Sequence, residues 1–260
     1  MSRKTVALLL FSVIIEIMLE KYAENVKKSH DFPQKMLFDA HFHYAICKKM
    51  GICNLPQNWM GISCAHSIEE FELQKTAPEC VIQSYGMHPQ NAGNENIKKS
   101  AEILEKLLEA KAISAIGEAG FDYFTSDFRL NTSLQDEIFN IQLELALKYN
   151  MLLVIHCRKA NHKLFEYSKQ LKKLPEVLFH SFMGPPVEAK SLLSKGINAY
   201  FSFGKQLLNG NKKAIACVRE LPDGRILAET DAPFQYLKGE KYTRPSEIEL
   251  IYEAIKNIKL

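Results

Sequence analysis

Phe38-Asp39-Ala40-His41-Phe42-His43 follows the apolar pair Met36-Leu37 and closes a run with the composition of a buried strand. Side chains two residues apart on a strand point to the same side, so His41 and His43 converge at its end. Imidazole nitrogen suits Zn²⁺ and other borderline divalent ions, and two from one strand supply half a metal site. Histidine pairs of this spacing are more often packing or surface residues. The reading therefore turns on whether the rest of the chain supplies matching ligands.

Seven more apolar runs of strand length follow, at 59–65, 80–86, 113–118, 151–156, 177–180, 197–202 and 225–231. Helical spacing lies between them at 95–111, 134–149, 164–174, 186–195 and 212–220, and after them at 246–259. Ser67 with Glu70 three residues later reads as a capping box opening one further short helix. Strand runs alternating with helices predict parallel strands joined by crossovers. In 260 residues, with no linker, repeat or low-complexity stretch, the expected fold is α/β. It is a single (β/α)8 TIM barrel over 36–260, with an open doubly wound sheet as second choice.

The hydrophobic fraction of 47% and charged fraction of 24% are those of an ordinary soluble protein. A net charge of +3 is too small to mark a nucleic-acid binder by bulk electrostatics, though it leaves a local basic rim open. Tyr44, Lys48, Lys49, Tyr123, Phe124, Lys205, Lys238, Lys241 and Tyr242 could contribute to a basic, aromatic-lined groove, which would favour a nucleic-acid substrate. Six cysteines without a C-x-x-C pair predict buried free thiols in a reducing compartment, hence a cytoplasmic location. Arg3 and Lys4 before an apolar run to Ile15 have the look of a secretory signal. Ser12, Glu16, Glu20, Glu24 and Lys28, however, recur every four residues and draw a polar stripe along a mostly apolar helix. Residues 1–35 are therefore expected to form a helix packed on the barrel, and no membrane partner is expected. The apolar run is shorter than the roughly 20 residues a span needs.

Six candidate ligands share one habit: each ends a predicted strand. They are His41, His43, Glu118, His156, His180 and Asp231. In a parallel barrel these ends meet at one mouth. Four imidazoles and two carboxylates exceed one tetrahedral site and suit two divalent metal ions (Mg²⁺, Mn²⁺ or Zn²⁺) with a carboxylate bridging them. That inventory implies hydrolysis. Asp231 is expected both to hold a metal and to take a proton from the attacking water. Arg158, two residues beyond His156, suits a bidentate grip on phosphate or carboxylate. His88, also at a strand end, is a candidate to meet substrate. His30, His66 and His162 are read as packing or loop residues.

These residues carry a family resemblance. Asp39-Ala40-His41-Phe42-His43, Gly86-Met87-His88-Pro89, Ile116-Gly117-Glu118-Ala119-Gly120-Phe121-Asp122, Ile155-His156-Cys157-Arg158, His180-Ser181-Phe182-Met183-Gly184 and Glu229-Thr230-Asp231-Ala232-Pro233 stand in order. In that order they resemble the motifs of the TatD-type metal-dependent hydrolases of the amidohydrolase superfamily. The resemblance implies a (β/α)8 barrel with deoxyribonuclease activity, chiefly 3′-to-5′ exonucleolytic on single-stranded DNA or 3′ ends. It also implies one metal on His41, His43, Glu118 and Asp231. Glu118 would bridge to a second on His156 and His180, with His88 and Arg158 at the scissile phosphate. Two departures stand out. Only 29 residues follow Asp231, where the family usually continues further, and residues 16–28 resemble the family's last helix. The segment 234–246 keeps Arg244-Pro245 but lacks the family's usual Asn/Glu-Pro ending. Two other functions fit the same inventory: two-metal hydrolysis of a small amide, ester or lactone, and a non-catalytic binding protein stabilised by metal.

Overall fold

The computed structural model describes residues 36–94 and 96–260; the helix expected over 1–35 lies outside them. Eight strands follow in order: β1 (Leu37–Phe42), β2 (Trp59–Ala65), β3 (Val81–Tyr85), β4 (Ala115–Asp122), β5 (Leu152–Arg158), β6 (Val177–Phe179), β7 (Ala199–Phe203) and β8 (Ile226–Ala228). Each pairs with the next in parallel, from β1–β2 to β7–β8. The connecting helices are α1 (Tyr44–Lys49), α2 (Ile68–Gln74), α3 (Ile97–Glu109), α4 (Ser126–Leu130), α5 (Thr132–Tyr149), α6 (Asn161–Glu166), α7 (Ser168–Leu171), α8 (Pro186–Ser194), α9 (Lys212–Glu220) and α10 (Ile248–Lys259). The expected (β/α)8 barrel is the fold. The helix expected over 164–174 is two short ones meeting at Tyr167, whose ring packs on Phe121 and Phe139. None of the described helices is long and apolar enough to cross a membrane.

The seam between β8 and β1 closes by bonds just beyond the strand end. The Asp231 N–H donates to the His41 carbonyl at 2.9 Å, and the His43 N–H to the Ala232 carbonyl at 2.8 Å. Buried Asp39 adds two more, accepting from the Thr230 N–H at 2.8 Å and its hydroxyl at 2.6 Å. The motif residues flanking His41 and Asp231 therefore hold the barrel shut and bring the first and last strands of the site into contact.

Two apolar clusters divide the interior. The larger lies between barrel and helices; the smaller joins Ala40, Met60, Ile62, Cys64, Ile82, Ala115, Leu152, Val154 and Leu178. The smaller cluster draws on six successive strands and no helix, which places it inside the barrel, as the packed floor beneath the mouth. Its parity breaks twice. On β1, Phe38 pairs with Met60 but Phe42 with Ser63, and on β4, Ile116 pairs with Leu153 but Ala119 with Ile155. Each slip is a β-bulge, one extra residue that re-aims the remainder of its strand. With them, Ala40 and His41 both serve the interior, and Glu118 enters it although Ala115 does so three residues earlier.

Two buried glutamines of α5 brace the mouth. Gln135 accepts from the Asp122 N–H at 2.8 Å and donates to the Asp122 carbonyl at 3.1 Å. Gln142 accepts from the Met87 N–H at 2.8 Å and donates to the Met87 carbonyl at 3.0 Å. Seven residues apart, they share one helix face and satisfy backbone groups that the irregular ends of β4 and β3 leave unpaired.

Glu176, at the foot of β6, carries a stability prediction. Its Oε2 is buried without a hydrogen-bond partner among the described residues. Burial pushes its carboxyl from 4.5 up to about 7, against the pull of Arg225. An acid raised in the folded chain keeps its proton where the unfolded chain has lost it, so stability falls as pH rises from about 4.5 to 7. Glu176→Gln is expected to stabilise above pH 7 by about 1–2 kcal/mol after solvent screening, and to lose that advantage below pH 4.5. Urea unfolding of both proteins across that range measures it.

Candidate metal centre

Glu118 is the hub. Its side chain is 3% exposed, and its two oxygens face different groups. Around Oε1, His41 Nε2 stands at 3.3 Å and His43 Nε2 at 3.5 Å. Asp231 Oδ1 lies 3.4 and 3.3 Å from those nitrogens, which are 3.2 Å from each other. Around Oε2 stand His180 Nε2 at 2.7 Å, His156 Nδ1 at 3.4 Å and His88 Nε2 at 3.5 Å. All six sequence-derived ligands are thus brought together at the mouth, and His88 with them.

The donors fit divalent cations. Four ligand atoms about 2.0–2.2 Å from a tetrahedral ion stand about 3.3–3.6 Å from one another. The five measured edges of the first group run from 3.2 to 3.5 Å. Glu118 Oε1 makes no hydrogen bond among the described residues, although it is buried. A buried carboxylate oxygen left in that state wants a cation.

Outer contacts set which nitrogens are free to ligate. His43 Nδ1 faces the Cys64 carbonyl at 3.3 Å, an acceptor only, so its hydrogen sits there and Nε2 presents a lone pair to the cluster. His156 Nε2 donates to Asp122 Oδ2 at 3.0 Å, which turns Nδ1 toward Glu118. A carboxylate behind a histidine in this way fixes ring and tautomer at metal sites. His88 is arranged oppositely. Its Nδ1 accepts from the Gln90 N–H at 3.2 Å, so the neutral ring carries its hydrogen on Nε2, aimed into the site. His88 therefore presents an N–H, not a lone pair, toward the cluster, with Glu118 Oε2 3.5 Å away.

Charge follows the same division. Burial would raise Glu118, but the imidazoles of His41, His180 and His88 hold it well below the usual carboxylate range. Asp231 is lowered likewise, its burial outweighed by hydrogen bonds from His41 and His43. Burial pushes His88 down to about 3 and His180 to about 4, leaving both neutral. Burial also disfavours a charge on His156, yet hydrogen bonds to Asp122 and Glu118 raise it to about 9. His41 is raised well above its ordinary value, with Glu118 overcoming the cost of burial. The protons on His41 and His156 occupy positions a cation would take.

A cavity of about 650 Å³ opens over the cluster, lined by His43, His66, His88, Arg158, Phe234 and Tyr236 among others. Among the described residues Arg158 is its one lysine or arginine side chain; it stacks on Phe124 at 4.0 Å and approaches Asp122 at 3.8 Å. Two of the residues that could contribute to a basic rim are buried. Lys205 is fully buried and paired with Glu240 and Glu247, and Tyr44, the first residue of α1, is buried with its hydroxyl on the Thr76 carbonyl. Of the other residues that could contribute, none lines the cavity. His162 packs on Tyr123, away from the cluster. His66, read from the sequence as a packing residue, is in the site, with Nε2 2.9 Å from Glu118 Oε1. Asp122 was also legible: on a strand it lies four residues from Glu118, on the same face.

A (β/α)8 barrel with histidines and carboxylates gathered at its C-terminal mouth defines the metal-dependent hydrolase class. Residues 25–260 match the family model described as TatD related DNase. An uncharacterized metal-dependent hydrolase of Mycoplasma genitalium is 32% identical over 214 residues, covering 76% of this chain and 80% of that protein. The 3′-5′ ssDNA/RNA exonuclease TatD of Edwardsiella piscicida is 30% identical over 177 residues, covering 67% of this chain and 66% of its own. The crystal structure of YjjV, a TatD homologue from Escherichia coli, superposes with a TM-score of 0.73 at 22% identity, over 85% of this chain and 90% of that one. The chain belongs to the TatD related DNase family.

Proposed function

We propose that this protein is a two-metal phosphodiesterase that shortens single-stranded nucleic acid from the 3′ end. The observation that carries the reading is the division of Glu118, with one oxygen among His41, His43 and Asp231 and the other among His156 and His180. Those six residues would hold two divalent ions, which supply Lewis-acid activation of water and of a phosphoryl oxygen. Asp231 stands at the first group with Oδ2 held by the Gln235 amide at 3.0 Å, positioned to take the proton of the attacking water. His88 Nε2–H is aimed where a phosphoryl oxygen would lie, and its low pKa keeps it a neutral donor. Arg158 offers a guanidinium grip on phosphate. The half-exposed rings of Phe234 and Tyr236 supply flat surfaces on which bases stack.

The test is degradation of 5′-labelled single-stranded DNA with Mg²⁺ or Mn²⁺, with and without chelator. A metal-dependent ladder shortening from the 3′ end is the expected result. Arg158→Ala is expected to raise KM about tenfold with a smaller effect on kcat, because a charge-assisted phosphate contact is lost. With one arginine and no lysine lining it among the described residues, the cavity also suits a small substrate. A folded, metal-loaded protein that cuts no nucleic acid would therefore turn the reading toward a small ester, amide or lactone.

A further inference from the structure

We propose that His66 is a third imidazole ligand of the metal group formed by His41, His43, Glu118 and Asp231, biasing it toward Zn²⁺-like cations over Mg²⁺. This rests on the two-metal reading above. His66 Nε2 lies 2.9 Å from Glu118 Oε1, yet both atoms are buried and neither makes a hydrogen bond among the described residues. The two abut without an N–H directed between them. Buried polar atoms in such contact are costly unless a third partner faces both.

The distance says where that partner would sit. Ligand atoms at right angles about one ion, each about 2.1 Å away, stand about 3.0 Å apart, against about 3.4 Å at the tetrahedral angle. The 2.9 Å contact fits a fifth donor in a right-angled position beside Glu118. The donor atoms of His43, His66 and Glu118 all lie within 4.8 Å of one another. Local sequence places the ring. His66 directly follows β2, its N–H donates to Glu70 Oε2 at 2.9 Å, and Ser67 caps α2 by accepting from the Glu70 N–H at 3.1 Å. With its backbone pinned, the side chain is only 14% exposed. Adding His66 makes the centre richer in imidazole, which suits Zn²⁺, whereas Mg²⁺ prefers oxygen ligands and retained water.

The test strips the full-length protein with chelator and titrates it with Zn²⁺, Co²⁺ and Mg²⁺ against a chromophoric competitor. His66→Gln is expected to weaken the tighter Zn²⁺ site roughly 10–100-fold, the range for groups that tune metal sites, while barely changing Mg²⁺ affinity. His66→Cys is expected to give the Co²⁺-loaded protein a thiolate charge-transfer band that the parent lacks. That gain of signal decides the matter should His66→Gln fail to fold. Unchanged Zn²⁺ affinity in folded His66→Gln together with no band in His66→Cys overturns the assignment. A parent protein that binds no divalent ion overturns the two-metal reading itself, whatever the variants do.

Discussion

Glu118→Gln is expected to lower phosphodiester hydrolysis on the order of a thousandfold or more in kcat/KM, with the fold intact. The substitution keeps the shape but removes the charge. Glu118 faces six imidazole nitrogens within 3.5 Å, and its negative charge holds His41, and together with Asp122 His156, in their shifted states. An amide would present one oxygen to one group and an N–H₂ to the other, a donor where a ligand belongs. The measurement pairs turnover with metal content: the parent should hold two equivalents and the variant fewer. Full activity in the variant would remove Glu118 from the centre.

Gly120→Ala is expected to be the most damaging change to the fold, at about 4 kcal/mol or more, read as loss of soluble protein or of the urea transition. A Cβ at this position would lie 2.0 Å from the His156 carbonyl oxygen, and Gly120 has φ of +138°, where a side chain is strained. Gly120 pairs with His156 across β4 and β5, beside the bulge that turns Glu118 inward. There is no flexible side-chain end to give way; the obstacle is backbone. The change would push apart the two strands that carry Glu118 and His156, so any folded remainder should bind metal poorly. Gly51, where an added Cβ meets nothing within 4 Å, is the matching control for a glycine with positive φ.

Much of this protein is written locally. The strand runs, their alternation with helices, and ligands at the strand ends come from periodicity and residue type. The barrel, the six-residue cluster and the strand-end placement of His88 and Arg158 were therefore readable in the chain. Three features were not, because each depends on contacts between residues distant in sequence. The burial of Lys205 is the first: it counts as a surface cation by type, but Glu240 and Glu247 take it into the interior. His66 looked like one more isolated histidine, and only the turn of β2 into α2 beside β4 brings its nitrogen to Glu118. The bulges are the deepest case. Strict alternation puts Ala40 and His41 on opposite faces, and Ala115 likewise opposite Glu118. The slips on β1 and β4 are set by how those strands pair with β2 and β5. Sequence alone determined the six strand-end candidates for metal; pairing across the sheet decided which way they point, since a strand's register is a property of two chains of atoms and not of one.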